Sequence, residues 1–170
     1  MSETPDNEKA KPEGYRRISG IAESQEAIDQ VIAEAKTTLR LFDVSLANRG
    51  FNSPRRIEML KNFIVAGRAN RLLIALHEPE TLERDSPRLL NLLRLFSSSI
   101  EIHRTVAQAR QAMDPFIVAD DHSVWHQLHY SQPRAVVALH SPADATPILQ
   151  RFDEIWEQSE LAVSATTARL

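Results

Sequence analysis

Six histidines, His77, His103, His122, His126, His129 and His140, are the side chains best suited to chemistry at neutral pH in a chain of 170 residues that has no cysteine. Without cysteine there is no thiolate nucleophile, no disulfide and no Cys-based zinc site. His122, His126 and His129 have ligand spacing for a helix, but Val124 to Tyr130 reads as a strand. On a strand, His126 and His129 are an odd number of residues apart and project to opposite faces, so they cannot hold one ion together. No metal and no cofactor is therefore expected. His140 differs from the others because it ends a strand just before a helix, where α/β folds tend to place ligands. Asp120 is the first acid of an Asp-Asp-His-Ser turn, and aspartate is a favoured turn residue in its own right. Asp43 and His77 could form an acid–base couple, yet nothing in the sequence brings them together. Four glycines leave little material for a phosphate-cradling loop.

The cations have a pattern of their own. Arg49, Arg55, Arg56, Lys61, Arg68 and Arg71 fall in a stretch whose one acid is Glu58. Asn48, Arg49, Arg55 and Arg56 sit in the loop and first helical turn after a strand, where a helix N-terminus would favour a small anion. The plain alternative is a solvated helix face. Nucleic acid is a further alternative, but the patch is short, it has no interleaved aromatics, and the formal net charge is −3.

The elements that must position these residues are written locally. The first twenty residues are polar and aperiodic, and a mobile segment is expected over 1–20. A helix is predicted from an N-cap at Ser24, with Ile28, Val31, Ile32 and Ala35 on one stripe. The run from Thr37 to Leu46 is apolar on both faces, as in a central strand covered by helices on each side. Ser53-Pro54, Ser86-Pro87 and Ser141-Pro142 each place a hydroxyl before a proline at a helix start. Gly67 is expected to end the first of these helices in the left-handed region, and Ser141 with Asp144 reads as a capping box for the last. Strands are predicted over Leu72 to Leu76, around Ile100 and Ile102, in a hairpin from Phe116 to Tyr130, and over Ala135 to Leu139. Helical crossovers predict a mostly parallel mixed sheet with helices on both faces. One domain over 21–160 is expected, followed by a flexible tail over 161–170. The N-terminus has neither the pattern of a secretory signal nor that of a transit peptide, and no stretch approaches the ~20 apolar residues that span a bilayer. A cytoplasmic location without membrane attachment is expected.

A strand, an acidic turn, an antiparallel return strand, a further strand and a closing helix containing Phe152-Asp153-Glu154-Ile155-Trp156 resemble one half of the phospholipase D superfamily. The likeness runs from Ile21 to Ser159 and includes the opening Ala35-Lys36-Thr37-Thr38-Leu39-Arg40-Leu41-Phe42-Asp43. That superfamily's signature is His, any residue, Lys, four residues, Asp. With its Asp placed on Asp120, the nucleophile's position holds Met113 and the lysine's holds Pro115. A shift to Asp121 gives Asp114 and Phe116, which is no better. A thioether cannot attack phosphorus usefully, and proline has neither charge nor an N–H to place against phosphoryl oxygens. The resemblance thus implies a degenerate member, a non-catalytic binding or assembly module. Since the superfamily's full site is built from two halves, it also implies a homodimer that buries the old active-site face. Two alternatives stay open: an enzyme acting on phosphate esters through relocated groups such as His140 with Asp120, and a nucleic-acid-binding accessory protein.

Overall fold

The computed structural model describes residues 14–164. Eight strands form one sheet: β1 (Tyr15–Ile18), β2 (Thr38–Asp43), β3 (Arg71–Leu76), β4 (Ile100–Thr105), β5 (Phe116–Ala119), β6 (Ser123–His129), β7 (Gln132–Ala138) and β8 (Ser159–Val163). Five α-helices accompany it: α1 (Ile21–Glu34), α2 (Pro54–Val65), α3 (Leu82–Asp85), α4 (Pro87–Leu95) and α5 (Pro142–Glu157). The strand order is β1-β7-β6-β5-β2-β3-β4-β8.

The fold is α/β with a mixed sheet, but the sheet is mostly antiparallel. Among the described residues only β2–β3 and β3–β4 are parallel pairs. The helical crossovers extend the parallel series in one direction alone. The chain then returns to the other side of β2, where β5 runs antiparallel to it and starts the β5–β6–β7 meander. Strands β1 and β8 add antiparallel pairs at the two edges.

Both edge strands lie where mobile ends are expected. Within the segment assigned to 1–20, Tyr15–Ile18 pairs with β7, and only Ile18 is buried, so the strand has too short an apolar pattern to stand out. At the other end, Ser159–Val163 crosses the expected boundary at 160 and pairs with β4. Residues 1–13 and 165–170, the rest of the two expected flexible segments, lie outside the described residues.

Alternation along the strands separates two cores. Leu39 and Leu41 of β2, Leu72, Ile74 and Leu76 of β3, and Trp125 and Val137 of the meander pack with α1, α2 and α4. Phe42, Phe116, Val118 and Val124 instead meet Phe152 and Ile155 of α5. Trp156 stacks on His103 of β4 with ring centroids 3.6 Å apart. Complete burial of side chains such as Phe42 and Phe152 stabilises by about 1.5–3 kcal/mol each.

Four helix ends differ from expectation, and at one of them, the start of α4, the buried Ser86 Oγ makes no cap hydrogen bond. Helix α1 starts at Ile21 behind Gly20, so Ser24 is not its cap. Ser24 is 4% exposed on the stripe of Ala27, Ile28 and Val31, because residues three, four and seven positions apart share a helix face. Helix α2 does begin at a capping Ser53, whose Oγ accepts from the Arg56 N–H. It ends at Ala66 in the right-handed region, and no left-handed Gly67 closes it. Gly67 serves close approach instead: a Cβ there would lie 2.8 Å from Asn70 Oδ1, while Asn70 Nδ2 donates to the otherwise orphaned Phe63 carbonyl at 2.8 Å. At α5, Ser141 Oγ does not cap the backbone but donates to Asp144 Oδ2 at 2.6 Å.

Candidate functional site

The sheet places the sequence-predicted site residues at two opposite ends. Asp120 follows β5 and His140 follows β7, at the end where β2 begins. Asn48 and Arg49 follow the other end of β2, next to Met113 and Pro115, where β5 begins. The motif positions Met113 and Pro115 are therefore separated from Asp120 by the length of a strand.

At the Asp120 end the carboxylate is fully engaged with backbone. Oδ1 accepts from the N–H groups of Thr37 and Thr38 at 2.8 and 2.9 Å and from the Thr37 hydroxyl at 2.9 Å, and Oδ2 accepts from the Lys36 N–H at 2.8 Å. Burial pushes this carboxyl up, but the Thr38, Thr37 and Lys36 N–H groups and the Thr37 hydroxyl together outweigh it and hold the group below the usual aspartate value. Asp120 sits at φ 53°, a left-handed turn conformation that aspartate tolerates, and it clamps the β5–β6 turn to the start of β2. His140, at φ 54°, points its Nε2 to Glu34 Oε2 at 3.0 Å and stacks on His122, ring centroids 5.5 Å apart. Asp120 and His140 share an end of the sheet, with the His122 ring between them, 3.5 Å from Asp120 Oδ2.

The opposite end is the more elaborate. Arg49 Nε donates to Asp43 Oδ2 at 2.6 Å, its Nη1 donates to Gln127 Oε1 at 2.8 Å, and the guanidinium lies 5.3 Å from the Trp125 ring centroid. Burial pushes the Asp43 carboxyl up from its ordinary value, against the opposing pull of the Arg49 charge and the hydrogen bonds it accepts. Gln127, 2% exposed, directs its Nε2 to the carbonyls of His129, Tyr130 and Gln132 and so moulds the β6–β7 turn around one amide. Asn48 is exposed at φ 61°, and its carbonyl accepts from Gln25 Nε2.

Arg56 does not belong to a basic surface. It is 3% exposed, and it donates to Asp29 Oδ1 at 2.7 Å, to the Gln25 carbonyl and to the Arg49 carbonyl while covering the Phe51 ring. Arg55, its neighbour, is exposed and faces a shallow groove with Asp29 and Met59. Of the four residues expected at one pocket mouth, Asn48 and Arg49 line it, Arg56 supports it from behind, and Arg55 is elsewhere.

Around the motif, the Met113 carbonyl accepts from the Tyr130 N–H and the Pro115 carbonyl from the Gln127 N–H, both at 2.8 Å. Between them, Asp114 accepts from His126 Nε2 at 2.8 Å and from Arg151. His77 is not coupled to Asp43 by side chains. Its Nε2–H is directed to the Ala112 carbonyl and its Nδ1 to the Thr105 hydroxyl, which fixes the segment leading into Met113. Burial lowers the His77 pKa, in keeping with a neutral ring.

Solved structures place this arrangement among known folds. TrmBL2, an archaeal chromatin protein with a novel mode of DNA binding, aligns at a TM-score of 0.64 and 18% identity over 92% of this chain and 56% of its own. Nuc, a phospholipase D family member from Salmonella typhimurium, aligns at 0.61 and 18% identity over 88% of this chain and 99% of its own. Phosphatidylserine synthase from Haemophilus influenzae Rd KW20 aligns at 0.57 and 9% identity over 89% of this chain and 40% of its own. The chain thus spans about half the length of TrmBL2 and the whole length of Nuc. No curated protein matches it by sequence.

A single α/β domain with one open, mixed eight-stranded sheet and these neighbours defines a phospholipase D-like fold. Residues 21–165 match the family DUF7931, a domain of unknown function, and the chain belongs to that family.

Proposed function

We propose that the chain is a non-catalytic binding and assembly module that pairs with a second copy through the end of the sheet carrying Met113. The observation that carries this reading is the chemistry of that end. Where the superfamily's signature calls for a nucleophile and a cation, the chain places a half-exposed thioether and a buried proline. Two imidazoles flank these positions, and both are engaged: His77 with the Ala112 carbonyl and the Thr105 hydroxyl, and His126 with Asp114, which Arg151 also holds. Arg49 and Arg151, cations at this end, each have a carboxylate partner. Apolar side chains are exposed instead: Met113 at 37%, Leu128 at 61% and Tyr130 at 46%. They come from the paired segments at this end, with Met113 and Tyr130 joined by a backbone hydrogen bond. Exposed apolar groups gathered at one end favour a protein partner, and a second copy matches a self-complementary arrangement about a twofold axis.

Nucleic acid binding is the weaker reading, although TrmBL2 shares the fold. Arg56 is buried and Arg49 is paired internally, which removes two of the six cations from the basic stretch. The chain also carries a net negative charge.

Sedimentation tests the assembly. The wild-type chain is expected to sediment as a dimer in high salt, because apolar contact is not screened. Met113→Glu with Leu128→Glu is expected to give a folded monomer. A wild-type monomer at every concentration, or a dimer that the double variant leaves intact, contradicts the proposed face.

A further inference from the structure

We propose that the cavity bounded by the first turn of α1, the loop after β2 and the β6–β7 turn binds a small carboxylate carrying a short apolar tail. The inference rests on the binding-module reading and gives it a ligand class.

The cavity has a volume of about 180 Å³, room for a small organic ligand. Ser24 and Gln127 are its buried polar residues, Arg49 is partly buried, and Ile21, Ile28, Ala47 and Pro133 supply apolar wall. Two of its polar side chains, Arg49 and Ser24, have donors left unpaired. Asp43 and Gln127 take two of the five N–H donors of Arg49, and the others remain for a ligand. Ser24, 4% exposed, has an Oγ without a hydrogen-bond partner. Behind the lining, the Trp125 ring lies 5.3 Å from the Arg49 guanidinium carbon, and its indole N–H is also buried and unpartnered and can only donate. Gly20 gives the first turn of α1 no capping side chain.

The backbone acceptors of the same wall are already engaged. The carbonyls of His129, Tyr130 and Gln132 are turned onto Gln127 Nε2, and the Asn48 carbonyl accepts from Gln25. Buried donors left without acceptors are costly, so a site lined in this way gains most from a ligand rich in acceptors. A carboxylate suits the planar guanidinium, since two oxygens match two N–H groups. A bulky polyanion does not fit: the space is small, and the Asp43 carboxylate already balances Arg49 on its far side. The apolar walls favour a short alkyl tail over inorganic anions of equal charge.

The test titrates the 15N-labelled full chain carrying Met113→Glu with propionate, using sodium chloride at matched ionic strength as the control. Saturable shifts of the Trp125 indole N–H and of the Asn48 and Ser131 amides are expected, with none for chloride. Ala47→Phe, which fills the cavity from its rim, is expected to abolish them while leaving the rest of the spectrum unchanged. Arg49→Lys, which keeps the charge but loses the planar fork, is expected to weaken binding about tenfold. Shifts that fail to saturate, that chloride reproduces, or that survive Ala47→Phe overturn the site, as does the absence of any shift. Sedimentation of the wild-type chain reads assembly separately, so the ligand and the dimer can each fail alone.

Discussion

Arg56→Ala is expected to destabilise the fold by about 3–5 kcal/mol, the range for removing one partner from a buried ion pair. Arg56 ties three pieces together: Asp29 and the Gln25 carbonyl on α1, and the Arg49 carbonyl in the loop after β2. Alanine there leaves a partly buried carboxylate and two carbonyls without their donor, and it removes the cation over Phe51. For a domain of this size the loss corresponds to a fall in Tm of roughly 6–20 °C. Arg55→Ala, one residue earlier and exposed, is expected to change Tm very little. Thermal denaturation of the two variants side by side checks the assignment, and equal effects would show that the buried network does not anchor the loop.

Asp120→Asn is expected to cost about 2–4 kcal/mol near neutral pH, because three backbone N–H groups and a hydroxyl lose a charged acceptor. Asparagine tolerates the same left-handed backbone, so the change isolates charge and acceptor from turn geometry. One of its two side-chain positions becomes an NH₂ group facing an N–H, which repels it. The pH dependence follows from the direction of the shift. The folded carboxyl titrates below its ordinary value of 3.8, so its stabilising contribution is complete above that pH and is lost as pH falls through the lower, folded value. Wild type and Asp120→Asn should therefore differ most at neutral pH and converge in acid. Urea denaturation over that range checks it, and a gap that stays constant on acidification would assign the effect to something other than the carboxylate.

These two residues also mark what the sequence made legible. Local signals were readable because their physics is local: Ser53 before Pro54 caps α2, and the two-faced apolar run over β2 marks a central strand. The resemblance put Met113, Pro115 and Asp120 along the strand entering the hairpin; that strand, β5, runs only from Phe116 to Ala119, with Met113 and Pro115 before it and Asp120 after it. Long-range pairing was not readable. Asp120 finds its partners 82 to 84 residues earlier, and Arg49 meets Gln127 78 residues later. Nothing in the composition of either segment encodes that meeting. Arg56 looked like a surface cation because its neighbours Arg49, Arg55 and Lys61 are basic. Its burial depends on Asp29, a helix away. The edge strands β1 and β8 escaped because an edge needs few apolar residues, and β1 buries only Ile18. The one signal that could have found the Arg49 site was the pairing of Asp43 with Arg49 six residues apart across a strand end.

Phosphodiester turnover tests the central claim most directly. Purified wild-type chain incubated with bis(p-nitrophenyl) phosphate is expected to release p-nitrophenol no faster than buffer. Saturable release that His126→Ala or His140→Ala abolishes, with the fold intact, would contradict the account, because an imidazole would then be doing the work that Met113 cannot.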